Sequence, residues 1–142
     1  MYQLAYISKA NNEFTLDELT DLSIDAGMRN RQIDVTGMLV YHQGVFLQFL
    51  EGNEHTIGEL YERIANDPRH SDCQVIYTNE ATTRLFSNWF THYLSFEYIK
   101  EITGEELAGD IAELLAGEVE DEDHVERVLN KFTSIVSSRQ SD

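Results

Sequence analysis

The sequence predicts an α+β fold: a mixed sheet with two helices on one face, followed by a C-terminal helical extension. Segments with strand-like and helix-like periodicity follow one another in the order β-α-β-β-α-β-β. Two of them, residues 35–41 and 45–51, are apolar and joined by a short polar connection, the strongest hairpin signal in the chain. This order is the split βαβ, or ferredoxin-like, plan with one extra strand. We therefore expect a domain at residues 1–98 and an extension at residues 99–142.

The first strand is predicted at residues 1–8, where the pattern alternates and tyrosine, leucine and isoleucine are frequent. Thr15 and Glu18 then have the spacing of a capping box, and Phe14 can pack onto Leu19 as a hydrophobic staple. The helix that they open is expected to run to about Met28. Its apolar positions are Leu16, Leu19, Leu22 and Ile24.

A second helix and two more strands complete the predicted domain. Thr56 and Glu59 form another possible capping box, and the helix that follows must end before Pro68. The strands are expected at residues 74–78 and 92–98.

The extension is acidic and has a helical pattern. Thr103 and Glu106 have capping-box spacing, residues 118–123 form a charged break, and Asp123 and Glu126 start a last helix. Two apolar stripes result: Leu107, Ile111, Leu114 and Leu115, then Val125, Val128, Leu129, Phe132, Ile135 and Val136. These stripes need a cover, either the open face of the sheet or another subunit.

Charge and composition exclude several classes of function. Ten Lys and Arg face twenty-six Asp and Glu, giving a formal net charge of −16. This field repels nucleic acids and anionic membranes, and it favours either solubility or association with a basic partner. The N-terminus does not resemble a signal peptide, and the apolar runs are too short to cross a bilayer. We therefore expect a cytoplasmic protein.

The familiar catalytic motifs are absent. The sequence contains no glycine-rich phosphate loop and no GxSxG elbow, and its five histidines lack the spacing of a metal-binding helix. The single cysteine, Cys73, is interpreted as structural. The sequence therefore predicts neither a metal site nor an enzyme.

Gln48 is the residue that does not fit its strand. It lies in a run, residues 45–50, that is apolar on both faces. Burying an unpaired amide costs roughly 1–3 kcal/mol, so a buried Gln48 needs several polar partners. The alternative is a glutamine turned to solvent.

Two residues are candidates to meet Gln48. Tyr6 is expected on the same face of a neighbouring strand, where its phenol can bond the amide. Asn30 is expected just after the first helix, beside the groove between the two helices. Each also has an ordinary interpretation, Tyr6 as core packing and Asn30 as a helix-capping or turn residue.

The sequence resembles the BLUF domain, the sensor of blue light that uses flavin adenine dinucleotide (FAD). The resemblance covers roughly residues 1–98. It is carried by Tyr6 within residues 4–8, Asn30 followed by Thr36-Gly37, the run of residues 43–52, residues 67–70, and Phe86 with Trp89.

The resemblance implies a flavin ring held between the two helices and no turnover of a substrate. By position, Tyr6 is the photochemical electron and proton donor, and Gln48 contacts both the ring and Tyr6. Asn30 binds the pyrimidine side of the ring. Light then leaves Gln48 rotated or tautomerised, and the rearranged hydrogen bonds are the signal.

The signal relay departs from the family pattern. Trp89 is present, but Thr91 stands where the family commonly has methionine two residues later. Threonine is shorter, branched and polar, so the resemblance does not settle how the signal reaches the last strand.

The expected partners are flavin, a second copy of the chain in a homo-oligomer, and an unknown downstream protein effector. The alternative is a flavin-free ferredoxin-like protein-interaction module, which the acidic surface and the tail helices also suit. A flavin-dependent redox enzyme is less well supported, because no catalytic base is indicated.

Overall fold

The structure of the protein is a computed structural model that describes residues 1–140. Its strands are β1 (Tyr2–Ala10), β2 (Thr36–His42), β3 (Val45–Gly52), β4 (His70–Glu80) and β5 (Phe90–Ser95). Its helices are α1 (Leu16–Gln32), α2 (Glu54–Ala65), α3 (Phe96–Thr103), α4 (Glu105–Leu115) and α5 (Glu122–Ser137). Among the described residues, no helix is long and apolar enough to span a membrane.

The five strands form a mixed sheet in the order β4-β1-β3-β2-β5. Pairing is antiparallel except between β2 and β5, which run parallel. The β2–β3 hairpin turns through Gln43 and Gly44, both in the left-handed region with φ of 50° and 79°. The predicted α+β class, the element order and the hairpin are confirmed.

The start of α1 follows its sequence signal. The Thr15 hydroxyl accepts a bond from the Glu18 N–H, and the Glu18 carboxylate accepts one from the Thr15 N–H. Phe14 lies in the same apolar cluster as Leu19. This reciprocal cap fixes where the helix leaves the sheet.

The predicted end and inner face of α1 need correction. The helix continues past Met28, so Asn30 lies inside its last turn and not after it. Leu16 and Ile24 were expected to be apolar positions of the packed face, but they are 67% and 54% exposed. Leu19 and Asn30 point inward instead, Leu19 into an apolar cluster with Leu39 and Phe46 and Asn30 into a cavity.

Two predicted capping boxes are wrong because a neighbouring residue already begins the helix. Asn53 caps α2 by accepting bonds from the next N–H groups, so Thr56 lies inside the first turn. Gly104, with φ of 87°, is the N-cap of α4. The Thr103 hydroxyl bonds its own helix at the Ile99 carbonyl.

The last two strands also differ in length from the prediction. β4 extends beyond the expected residues 74–78 in both directions. β5 ends at Ser95, because the Ser95 hydroxyl accepts a bond from the Tyr98 N–H and so starts α3.

The two faces of the sheet are covered by different parts of the chain. Helices α1 and α2 lie on one face, and α3, α4 and α5 lie on the other. Beneath the second group one apolar cluster joins strand residues such as Val40 and Phe49 to Ile111, Leu129 and Phe132. The apolar stripes of α4 and α5 therefore pack on the open face of the sheet, which is one of the two covers that the sequence predicted.

Candidate functional site

A cavity of about 240 Å³ lies between α1 and α2 on their side of the sheet. Apolar side chains from both helices line it, among them Leu22, Ile33, Leu60 and Ile64. Tyr6, Leu39, Phe46 and Gln48 contribute from the three central strands. The helices and the sheet therefore enclose a slot that is apolar along its walls and polar at its floor.

The register between β1 and β3 brings Tyr6 and Gln48 together. The two residues are directly opposite each other in the antiparallel ladder, so their side chains share one face. The Tyr6 hydroxyl donates to Gln48 Oε1 at 2.5 Å, and both side chains are buried. Gln48 is thus not turned to solvent.

The protonation of Tyr6 is fixed by burial. Loss of solvent raises the pKa of the phenol well above its usual range, and neighbouring ionisable groups, Cys73 first, add to this. Tyr6 therefore remains a hydrogen-bond donor over the whole physiological pH range.

Gln48 keeps hydrogen-bonding capacity for a ligand. Its carbonyl oxygen is bonded to Tyr6, whereas its NH₂ group has no hydrogen-bond partner within residues 1–140. A glutamine amide can donate two bonds. Two donors at the cavity floor are consequently available to a molecule that enters the slot.

His70 belongs to the same floor; the sequence marked it as the last residue of the 67–70 motif but assigned it no role. Its Nδ1 lies 2.7 Å from the buried Ser8 hydroxyl, and its Nε2 contacts the Ile64 carbonyl. Cys73 Sγ is also near the ring, at 3.7 Å from Nε2. His70 begins β4, and its sequence neighbours gave no sign that Ser8 and Ile64 would meet it.

Asn30 reaches the cavity from the last turn of α1. It is buried, and its Nδ2 donates to the Thr91 hydroxyl on β5. Gly27 allows this approach, because a Cβ there would lie 2.5 Å from the Phe90 carbonyl oxygen. The close packing of α1 on β5 thus joins two of the residues selected from the sequence.

Thr91 is held in an unusual backbone conformation. In the pairing of β2 with β5 it is skipped: Gly37 pairs with Phe90, and Met38 pairs with His92. Its φ is 67°, a region that branched side chains rarely adopt. The bulge turns Thr91 toward the cavity, where it is buried and among the lining residues.

Trp89 does not line the cavity. It is buried in the apolar cluster on the other face of the sheet and is stacked on Phe86, with ring centroids 5.7 Å apart. His92 stacks on it at 4.2 Å. Trp89 and Thr91 are only two positions apart, but the bulge places them on opposite sides.

Basic side chains gather at the rim of the slot. Arg29, Arg63 and Arg69 line it, although the whole chain has only ten Lys and Arg. Arg69 is paired with Asp67 at 2.5 Å, and its hydrogen bonds lower the pKa of that carboxyl to about 2. No ion pair within residues 1–140 occupies Arg29 or Arg63.

The lining suits a flavin nucleotide. A flat aromatic ring fits apolar walls, and its hydrogen-bonding edge matches the buried amides of Gln48 and Asn30. The phosphate of such a nucleotide matches Arg29 and Arg63 at the rim. Neither arginine was selected from the sequence, since isolated arginines carry no motif.

Comparisons with known proteins agree with this site. The sequence profile of the family described as "BLUF: Sensors of blue-light using FAD" matches residues 1–92. A photoactivated adenylate cyclase subunit beta of Euglena longa is 33% identical over 103 residues, 71% of this chain. The match covers 12% of that cyclase, so the chain corresponds to a small part of its length.

Solved structures share the fold over nearly the whole chain. The photo-activated state of BlsA has a TM-score of 0.71 at 25% identity, covering 93% of this chain and 94% of BlsA. The dark state of the BLUF protein BlrB has a TM-score of 0.80 at 20% identity, covering 98% and 96%. A bacterial light-regulated adenylyl cyclase has a TM-score of 0.72 at 27% identity, covering 92% of this chain and 36% of the cyclase. Because the family profile spans all of the cavity-lining residues, the chain belongs to the BLUF family of blue-light flavin sensors.

Proposed function

We propose that the protein is a blue-light photoreceptor that binds FAD, turns over no substrate of its own and signals through protein contacts. The observation that carries this proposal is the 2.5 Å hydrogen bond from Tyr6 to Gln48 at the floor of the slot. A buried phenol and a buried amide with spare donors form a switchable pair, and the two cavity-lining side chains that could act as bases, His70 and Asp67, are already bonded to Ser8 and Arg69.

Three residues would hold the flavin ring, and two would hold its phosphates. Gln48 offers its NH₂ group to the ring edge, Asn30 offers its amide to the pyrimidine side, and Tyr6 supports Gln48 from below. Arg29 and Arg63 lie at the rim for a diphosphate. This is the reason for proposing FAD, whose diphosphate gives both arginines an anionic partner.

The bound flavin supplies absorption of blue light and the capacity to take up an electron reversibly. Tyr6 is the proposed donor of that electron and of a proton. Its raised pKa keeps the phenol protonated before illumination, so the proton is present when it is needed.

Gln48 is the proposed switch. Its carbonyl oxygen accepts a hydrogen bond from the Tyr6 hydroxyl. A rotated or tautomerised amide presents a different donor and acceptor pattern to the ring and to Tyr6. Because both partners are buried, the change cannot be compensated by water and must alter the neighbouring strand.

The first experiment is absorption spectroscopy of the purified protein. A yellow protein whose blue band moves to longer wavelength in light and returns in darkness supports the proposal, and chromatography of the released cofactor distinguishes FAD from FMN. A protein that stays colourless after incubation with flavin is instead the flavin-free interaction module.

Two substitutions then assign the photochemistry. Gln48→Leu is expected to keep the flavin and abolish the light-induced shift, and Tyr6→Phe is expected to do the same because the transferable proton is lost. Ile24→Leu, on the exposed face of α1, is the control and should have a normal photocycle. A normal photocycle in Gln48→Leu would refute the role of this amide.

The remaining expectations concern output. We propose that residues 1–98 are the sensor and residues 99–142 the extension, that the protein is cytoplasmic, and that light alters self-association or contact with an effector. Trp89 and Thr91 are the proposed relay residues. Size-exclusion elution profiles in dark and light test whether light alters self-association. The same profiles of Thr91→Met test whether residue 91 takes part in the relay.

A further inference from the structure

The connection between β4 and β5, residues 81–89, is held from two sides by residues outside it. One holder is Glu51 on β3, the strand that also carries Gln48. The other is Gln140, just beyond α5. This connection ends at Trp89, so Glu51 and Gln140 bind the residues that immediately precede a proposed relay residue.

Glu51 is a buried carboxylate whose oxygens are fully used. It is 0% exposed and accepts the N–H groups of Leu85 and Phe86, each at 2.7 Å. The Gln3 amide donates to the same group at 2.9 Å. Hydrogen bonds to a buried charge are stronger than neutral ones, so the position of the loop is tied to the position of β3.

Gln140 forms hydrogen bonds with the other side of the same loop. Its Nε2 donates to the Leu85 carbonyl at 2.6 Å, and its Oε1 accepts the Asn88 N–H at 3.1 Å. Leu85 is therefore bonded through its N–H to β3 and through its C=O to the end of α5. The segment around Leu85 therefore connects β3, which carries Gln48, to the end of α5.

Aromatic packing runs beside these hydrogen bonds. Phe49, the residue after Gln48, packs edge-on against Phe86 at 5.6 Å, and Phe86 stacks on Trp89. A displacement of β3 therefore moves the loop through both the Glu51 carboxylate and the Phe49 ring. Thr91 lies on the opposite side of the sheet from these contacts.

We infer that Glu51 and Gln140 are positioning residues that carry the light-induced displacement of β3 through Leu85 to α5. This inference rests on the proposed function, because it needs a signal generated at Gln48. By this route the displacement of β3 can reach the tail helices without a methionine at position 91.

Hydrogen–deuterium exchange of the full-length, flavin-loaded protein in dark and light tests the route. The wild-type protein should show a light-induced difference at residues 122–137. Gln140→Ala should keep the flavin and the light-induced absorption shift, and it should lose that exchange difference. Ser138→Ala is the matched control, because within residues 1–140 its hydroxyl bonds only the Ile135 carbonyl of its own helix, so the substitution should leave the difference intact.

Glu51→Gln provides a second test from the other end of the bridge. The new NH₂ group faces backbone N–H donors and cannot accept from them, so the same loss at residues 122–137 is expected. Should this variant fail to fold, Gln140→Ala still decides the matter.

The outcomes separate the inference from the function on which it rests. An unchanged exchange difference in Gln140→Ala overturns the route, and so does a wild-type protein with a normal absorption shift and no difference in α5. Absence of any absorption shift in the wild-type protein instead overturns the proposed function.

Discussion

The two faces of the sheet use the same strands for opposite purposes. On the side of α1 and α2 the sheet is hollow, with a slot floored by buried polar groups. On the side of the tail helices it is solid, with one apolar cluster that runs from the strands into α4 and α5. Gln48 and Phe49 are adjacent in β3 and lie on different sides, so one strand supplies both the proposed switch and part of the core.

This difference indicates where stability and responsiveness reside. Closely packed apolar groups resist change, because any void or overlap costs free energy. Hydrogen-bonded amides and hydroxyls can exchange partners at small net cost. A switch therefore belongs on the hollow face, and the solid face gives it a rigid frame against which to move.

The largest expected effect is on the solid face. Phe132→Ala removes a ring that is 0% exposed in the middle of α5 and should lower the free energy of unfolding by about 3–5 kcal/mol. Urea denaturation of the flavin-loaded protein measures this loss.

The matched substitution is Ile24→Ala on α1, at a side chain that is 54% exposed. It should change the unfolding free energy by less than about 0.5 kcal/mol. Equal losses in the two variants would contradict the assignment of the Phe132 loss to its burial in the solid core.

An intermediate effect is expected at Thr91, on the hollow face. Thr91→Val keeps the shape of the side chain but removes the hydroxyl that accepts a bond from buried Asn30, so the amide loses its partner. The expected loss is about 1–3 kcal/mol of unfolding free energy.

Thr91→Ser is the control, because it keeps the hydroxyl and removes only a methyl group. It should lose about 1 kcal/mol or less, and its smaller, unbranched side chain is better tolerated at a φ of 67°. If Thr91→Ser loses more unfolding free energy than Thr91→Val, Thr91 stabilises the fold through packing of its methyl group and not through its hydrogen bond.

The sequence predicts the parts of the molecule that depend on local periodicity. Residues close together in the sequence determine the order of the elements, the hairpin, the Thr15–Glu18 cap and the apolar stripe of α5. Gln48 could be selected because a polar residue interrupts an apolar strand. The alternation of the first strand made Tyr6 a candidate partner, and the resemblance to a known family then gave the pair its photochemical role.

What the sequence did not predict depends on contacts between distant segments. The bulge that turns Thr91 away from Trp89 arises from pairing with β2, which no local pattern specifies. The exposure of Leu16 and Ile24 follows from the packing of α1 on β5, where Gly27 meets Phe90. Glu51 and Gln140 meet at Leu85 only because β3 and α5 approach the same loop.

The smallest expected effect lies at the rim of the slot, where Asp67 is paired with Arg69. The hydrogen bonds from Arg69 hold the pKa of Asp67 at about 2, below the ordinary value of an aspartate. The folded state therefore gains stability from this carboxylate above the unfolded pKa of about 4, and the gain disappears as pH falls toward 2.

Because this pair lies near the surface, its contribution should be no more than about 1 kcal/mol. Asp67→Asn should be slightly less stable than the wild-type protein near pH 5, and the difference should shrink toward about pH 3. Urea titrations of the two proteins at both pH values measure it. A difference that grows in acid would mean that Asp67 is better protonated in the folded protein, which would place its stabilising partner elsewhere than Arg69.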